Sequence, residues 1–228
     1  MIYLTLQVNE WRIRIMNEKF ERLDDKRKSQ IINAALKEFA VKGYKEASTN
    51  IIAKEAGLSK SLLFHYVGSK QELFIYLYNH ALEKILDDFF GSIDLNQKDM
   101  LQRCHQIALV KIEVLHKNPA LFDFYKVAID TRSEEIVSAL EKLSKNYRTI
   151  GLDRLFDDID ISLFRSDIDP QKAINLCIWF LNGLADQLQK RVSNLRMNEI
   201  DYDTLMEESN EYFEIMRKCF YKEVDKWQ

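Results

Sequence analysis

With 228 residues, 46% of them hydrophobic and 11% aromatic, the chain has the length and composition of a globular protein, which excludes a disordered tail or a minimal disulfide scaffold. Only six Gly and two Pro occur, against average usage of about 7% and about 5%, so turns are few and helices long. The net charge of −3 hides an asymmetry: residues 11–70 carry 13 Lys/Arg against 7 Asp/Glu, and residues 71–228 carry 20 against 28, so the basic end is suited to a polyanion such as nucleic acid.

The opening MIYLTLQVNEW lacks the basic start and long apolar centre of a signal peptide, no apolar run reaches membrane-spanning length, and a cytoplasmic protein is expected. Residues 1–24 read as an arm or extension, with Met16 as an alternative start. From Asp25 the pattern turns helical: Ile31, Ile32, Ala35, Leu36 and Phe39 share one side, Lys37, Glu38 and Lys42 the other, and Gly43 supplies a stop. Ser48 or Thr49 can cap a short helix over 50–56 whose Ile52, Ala53 and Ala56 face inward, and Gly57 ends it.

The stretch GLSKSLLFHYVGSK follows. Ser59 can cap a helix in which Leu63 and Val67 form one stripe, leaving Lys60, Ser61, Leu62, Phe64 and His65 on the outer face and Tyr66 at its edge. A helix this short is marginal alone, so the stripe must seat it and the outer face needs a partner. Ser69 and Glu72 then have the spacing of a capping box. Two short helices joined by a tight Gly-containing turn form the helix-turn-helix arrangement, whose second helix enters the DNA major groove.

These residues also carry a resemblance. TNIIAKEAGLSKSLLFHYVGSKQELF, preceded by IINAALKEFAVKGY, resembles the DNA-binding domain of the TetR family of transcriptional regulators over residues 25–75. The resemblance implies that Thr49 donates to a phosphate at a helix N-terminus, that Lys60 and Ser61 meet base edges, and that Tyr66 and Lys70 anchor on the DNA backbone. Leu62 and Phe64 depart from the family pattern. Leu62 can contact a thymine methyl, and Phe64 lacks the hydroxyl of the tyrosine often found there; core packing is the competing role for both. His65 reads as a backbone or solvent contact.

After Glu72 a long helix is expected to about residue 90, then helices near 99–116 and 120–128, the latter pair parted by Asn118-Pro119. Thr131 and Glu134 suggest a capping box opening a helix through about Leu143, with an extension to Phe156 as the longer alternative. Asp169-Pro170 starts the last pair, over 171–192 and 202–222, with stripes at Ala173, Cys177, Phe180, Leu184 and Leu188, and at Leu205, Tyr212, Met216 and Phe220. The expected architecture is all-α, with about nine helices: a helix-turn-helix domain over 25–72 and a helical ligand-binding and dimerisation domain over 73–228.

By resemblance the last two helices pair with their copies in a homodimer, through Cys177, Phe180, Leu184, Leu188, Tyr212, Met216 and Phe220, and two heads then read a palindromic operator in double-stranded DNA. The resemblance also implies an inducer cavity among the later helices, for which His105, Phe122, Tyr125 and Trp179 are the candidates; an aromatic stripe that is plain core is the competing reading. Cys104, Cys177 and Cys219 lack a CxxC pair and read as core residues.

No enzyme is expected. Cys104 and His105 are helix neighbours that do not face each other, and His105 and His116 stand about 16 Å apart at 1.5 Å per residue. No HExxH, GxSxG or phosphate-loop motif occurs, and no cofactor or metal is expected. The reading is therefore a DNA-binding regulator acting as a repressor released by a small-molecule effector, the alternative being a helix-turn-helix protein with no such switch.

Overall fold

The computed structural model describes residues 18–156, 158–192 and 199–222, and among these no β-strand forms beyond a single isolated bridge. The arm over 1–17, with Met16, lies outside the described residues. The helices are α1 (Glu18–Glu21), α2 (Asp25–Glu46), α3 (Thr49–Glu55), α4 (Lys60–Val67), α5 (Lys70–Ser92), α6 (Met100–Lys117), α7 (Pro119–Ile129), α8 (Val137–Phe156), α9 (Pro170–Val192) and α10 (Tyr202–Phe220).

Local sequence explains most boundaries. Asp24 caps α2 by accepting from the Arg27 N–H at 2.9 Å. Gly43, at φ 67°, breaks the helix, and one further turn follows before Ala47. Pro119 opens α7 at its first position, where a missing N–H costs nothing. The capping box expected at Thr131 and Glu134 does not form, and α8 starts at Val137 instead. The physical reason lies in the intervening turn, which is drawn onto other helices: the Tyr44 hydroxyl donates to Glu135 Oε2 at 2.6 Å, and Gln71 Nε2 donates to the Glu135 carbonyl at 2.6 Å.

The chain divides into two units. The first comprises residues up to Asp88 together with Asn118–Ile150. Its core joins the head to α7 through aromatic edge contacts, with Phe74 5.1 Å from Phe124 and 4.9 Å from Phe39 between ring centroids. Each such pair adds about 0.5–1.5 kcal/mol beyond the area it buries. The helix-turn-helix expected to stand as a domain over 25–72 thus shares one core with Leu121, Phe124, Ala128, Leu140 and Leu143.

The second unit comprises Phe89–Lys117 with the chain from Gly151 onward. Met100, Leu101, Cys104, Phe164, Ala173, Cys177, Phe213 and Met216 form its core. Arg103, 1% exposed, fastens this unit internally by donating to the carbonyls of Leu155 at 2.9 Å and Leu95 at 2.7 Å. Burial also pushes the Cys177 thiol up to about 12 and raises that of Cys104, so both stay protonated and inert. Cys219, expected in the core, is exposed on α10. Among the described residues no helix is long and apolar enough to cross a membrane.

Candidate nucleic-acid interface

α3 and α4 are joined by a turn in which Leu58 N–H donates to the Ala53 carbonyl at 2.8 Å and Gly57 takes φ 67°. An L-residue other than glycine is strained in that region. Arg27 Nη1 closes the turn from α2 by donating to the Ala56 carbonyl at 3.1 Å. Within α4, Ser59 caps the first turn through the Leu62 N–H at 3.2 Å, while Leu63 and Val67, 0% and 1% exposed, seat the helix.

The opposite side of α4 stays open. Lys60, Ser61, Leu62 and His65 are exposed, and the Ser61 hydroxyl lies 3.1 Å from that of Ser59. At 100° per residue, Ser61, Leu62 and His65 cluster on one face and Lys60 flanks it. Phe64 and Tyr66 are half-buried and pack against the core, so both seat the helix, with Lys60 Nζ 6.0 Å from the Phe64 ring. Thr49 stands at the first position of α3. Ser48 precedes it but makes no side-chain cap; its N–H is held by Glu38 at 2.8 Å. Lys70 sits at the head of α5, its Nζ donating to the Lys45 carbonyl at 2.9 Å and lying 5.2 Å from the Tyr44 ring centroid.

The candidates for an effector cavity are divided between the two units. Phe122 and Tyr125 meet in the first unit, 6.4 Å apart, with Tyr125 stacked on Tyr78 at 5.7 Å. His105 and Trp179 belong to the second unit. His105 faces the edge of Phe213 at 6.3 Å, whereas Trp179 is 67% exposed.

The residues of the expected dimerisation stripe differ in burial. Cys177 and Met216 are buried in the second unit's own core, and Phe180, Leu184 and Phe220 are half-buried. Tyr212 is exposed, and the side chain of Leu188 lies outside the described residues. Besides Tyr212, the apolar groups left uncovered on these helices lie one step round from the expected stripe: Leu176 and Trp179 on α9 and Ile215 on α10. A shift of one residue turns a helix by 100°, so two stripes compete, and periodicity cannot say which faces the chain's own core. The exposed stripe could have been found by asking which apolar residues the first left over.

A short helix seated on its own apolar stripe, with a polar face turned outward behind a glycine turn, is the arrangement of a helix-turn-helix DNA-binding head. Residues 31–77 match the family model described as bacterial regulatory proteins, tetR family. Over 156 residues the chain is 26% identical to the uncharacterized HTH-type transcriptional regulator YuxN of Bacillus subtilis, a match covering 68% of this chain and 51% of YuxN, so the chain spans about half the length of that relative. It is 24% identical over 144 residues to the HTH-type transcriptional repressor KstR2 of Mycobacterium tuberculosis, covering 63% of this chain and 72% of KstR2. The fold is similar to that of the transcriptional regulator FadR from Bacillus subtilis in complex with stearoyl-CoA, with a TM-score of 0.56 at 20% identity over 82% of this chain and 96% of FadR. Residues 31–77 thus match the DNA-binding domain of the TetR family, and the chain is similar to regulators of that kind.

Proposed function

We propose that the protein is a homodimeric repressor that holds a palindromic operator through two copies of α4 and leaves it when a small molecule binds its helical body. The observation that carries this reading is the division of α4: Leu63 and Val67 are buried while Lys60, Ser61, Leu62 and His65 face outward. In this reading Lys60 and Ser61 meet base edges and Leu62 a thymine methyl. Thr49, at the N-terminus of α3, and Lys70 hold phosphates; His65 contacts backbone; Phe64 and Tyr66 brace the helix from behind. The stripe of Leu176, Trp179, Tyr212 and Ile215 supports dimerisation, because large apolar groups clustered on two neighbouring helices suit burial against a second copy.

The effector acts by binding two arrangements of the paired heads unequally, since a ligand with equal affinity for both shifts nothing. Fatty acyl-CoA is the first class to try, on the likeness to FadR in complex with stearoyl-CoA. The protein works in the cytoplasm, where its DNA is, and as a binder rather than a catalyst.

The test is selection of sheared genomic DNA on the ligand-free protein at moderate salt, with Lys60→Ala as control. Enrichment of a few palindromic sites, lost in the control, is the expected result. A protein that enriches nothing above the control is not a sequence reader, and one whose occupancy no small molecule alters has no effector switch.

A further inference from the structure

The second unit carries a cleft of about 570 Å³ that the DNA-binding reading does not use. It lies between α6, α10 and the turn joining α5 to α6, and its working groups are Asp94, His105, Asn210, Phe213, Glu214 and Arg217. On α10 these fall at i, i+3, i+4 and i+7, a single face, whereas Tyr212 and Ile215 point to the opposite side. Dimerisation through the exposed apolar stripe therefore leaves the cleft open.

The charge balance selects a ligand. Arg217 is neutralised by Asp99, 3.3 Å away, and lies 5.1 Å from the Tyr221 ring centroid. Asp94 Oδ1 accepts from the Asn96 N–H at 2.9 Å. Glu214 is exposed and, among the described residues, has neither an ion pair nor a hydrogen bond. Asn210 and His105 likewise make no side-chain hydrogen bond among the described residues, so their donors and acceptors are available. The wall is preformed: Gln97 donates to Gln102 Oε1 at 2.7 Å and accepts from the Asp99 N–H at 3.0 Å. No group of three or more His, Cys, Asp or Glu side chains suited to a metal ion occurs among the described residues.

We infer that the cleft binds a small hydrophilic amine bearing several hydroxyl groups. Its ammonium pairs with Glu214, Asn210 and His105 take up its hydroxyls, and the edge of Phe213 meets its apolar face. The volume lies within the usual 300–1,000 Å³ of small-molecule sites. A charge-assisted bond to a carboxylate is roughly twice as strong as a neutral one, so charge discriminates among ligands of this shape.

The test is ligand-observed NMR titration of the full chain, without DNA, using glucosamine as probe and N-acetylglucosamine as its uncharged counterpart. Glucosamine is expected to saturate one site per chain with a dissociation constant on the order of 1 mM or below. N-acetylglucosamine to wild type, and glucosamine to Glu214→Gln, are each expected to bind at least about tenfold more weakly. Asn210→Ala is expected to weaken both sugars. Glu214 and Asn210 are exposed, and circular dichroism checks that both variants keep the fold. Absence of saturable glucosamine binding overturns the inference, as does equal affinity for the N-acetyl form or an unchanged Glu214→Gln. None of these outcomes touches the DNA-binding reading.

Discussion

Trp179→Ala is the sharpest test of the dimer. Its side chain is 67% exposed on α9. An aromatic side chain buries about 150–250 Å² when covered, so about 150 Å² of Trp179 is left for a partner, worth ~4 kcal/mol at ~25 cal/mol per Å². Interface tryptophans truncated to alanine cost about 2–4 kcal/mol, and two-fold symmetry counts the change twice, giving about 4–8 kcal/mol. The dimer dissociation constant is therefore expected to rise by about three orders of magnitude or more. Sedimentation velocity across a dilution series reads this directly, and circular dichroism is expected to be unchanged because the side chain packs little on its own chain. Cys177→Ala is the contrast: buried in the core, it should lower stability and spare association. A Trp179→Ala protein that dissociates at the same concentration as wild type would refute the assigned face.

In the head, Lys70→Ala is expected to weaken all DNA sites alike and reduce the salt slope by about 1, while Lys60→Ala also alters base preference; fluorescence anisotropy over a salt series separates the two. Replacing thymine by uracil beneath Leu62 should weaken wild type and leave Leu62→Ala indifferent, since only the methyl changes. Gly57→Ala is expected to cost about 1–2 kcal/mol in chemical denaturation from left-handed strain, because the nearest atom to an added Cβ, Arg27 Nη1, is 3.9 Å away and nothing clashes. His80, stacked on Tyr76 at 5.9 Å, is held below its usual range by burial and then by Lys84. The unfolded state thus takes its proton first, so stability is full above about pH 6.5 and falls as pH drops below it; His80→Gln should flatten that limb in thermal melts.

What the sequence disclosed was local. Ser59 and Asp169-Pro170 mark helix starts because capping chemistry acts within four residues, and Leu63 and Val67 mark the seated side of α4 because one helical turn brings them together. Neighbours distant along the chain were not legible. Nothing near Phe124 announces that its ring belongs against Phe74, and nothing near Glu135 announces that Tyr44 and Gln71 will hold the turn and displace a well-spaced capping box. At the candidate interface, the exposure of Lys60 and Ser61 followed from the helical period, but the half-burial of Phe64 and Tyr66 depends on what packs beneath them. On α9 and α10 the apolar period was plain, and only the fold separates the stripe that closes the core from the stripe left open.

The shared core of the first unit bears on how such a protein can be recombined. A hybrid regulator made by exchanging heads at residue 72 would carry Phe39 into a foreign host without Phe74 and Phe124, and Tyr44 without Phe74 and Glu135. The transplantable piece is discontinuous, residues up to Asp88 with Asn118–Ile150, so any graft that respects it must be cut and rejoined at both Phe89 and Lys117. The packing of the helix-turn-helix is then tied to a segment that sequence position alone would assign to the body, and a graft that leaves the segment behind strips the head of part of its core.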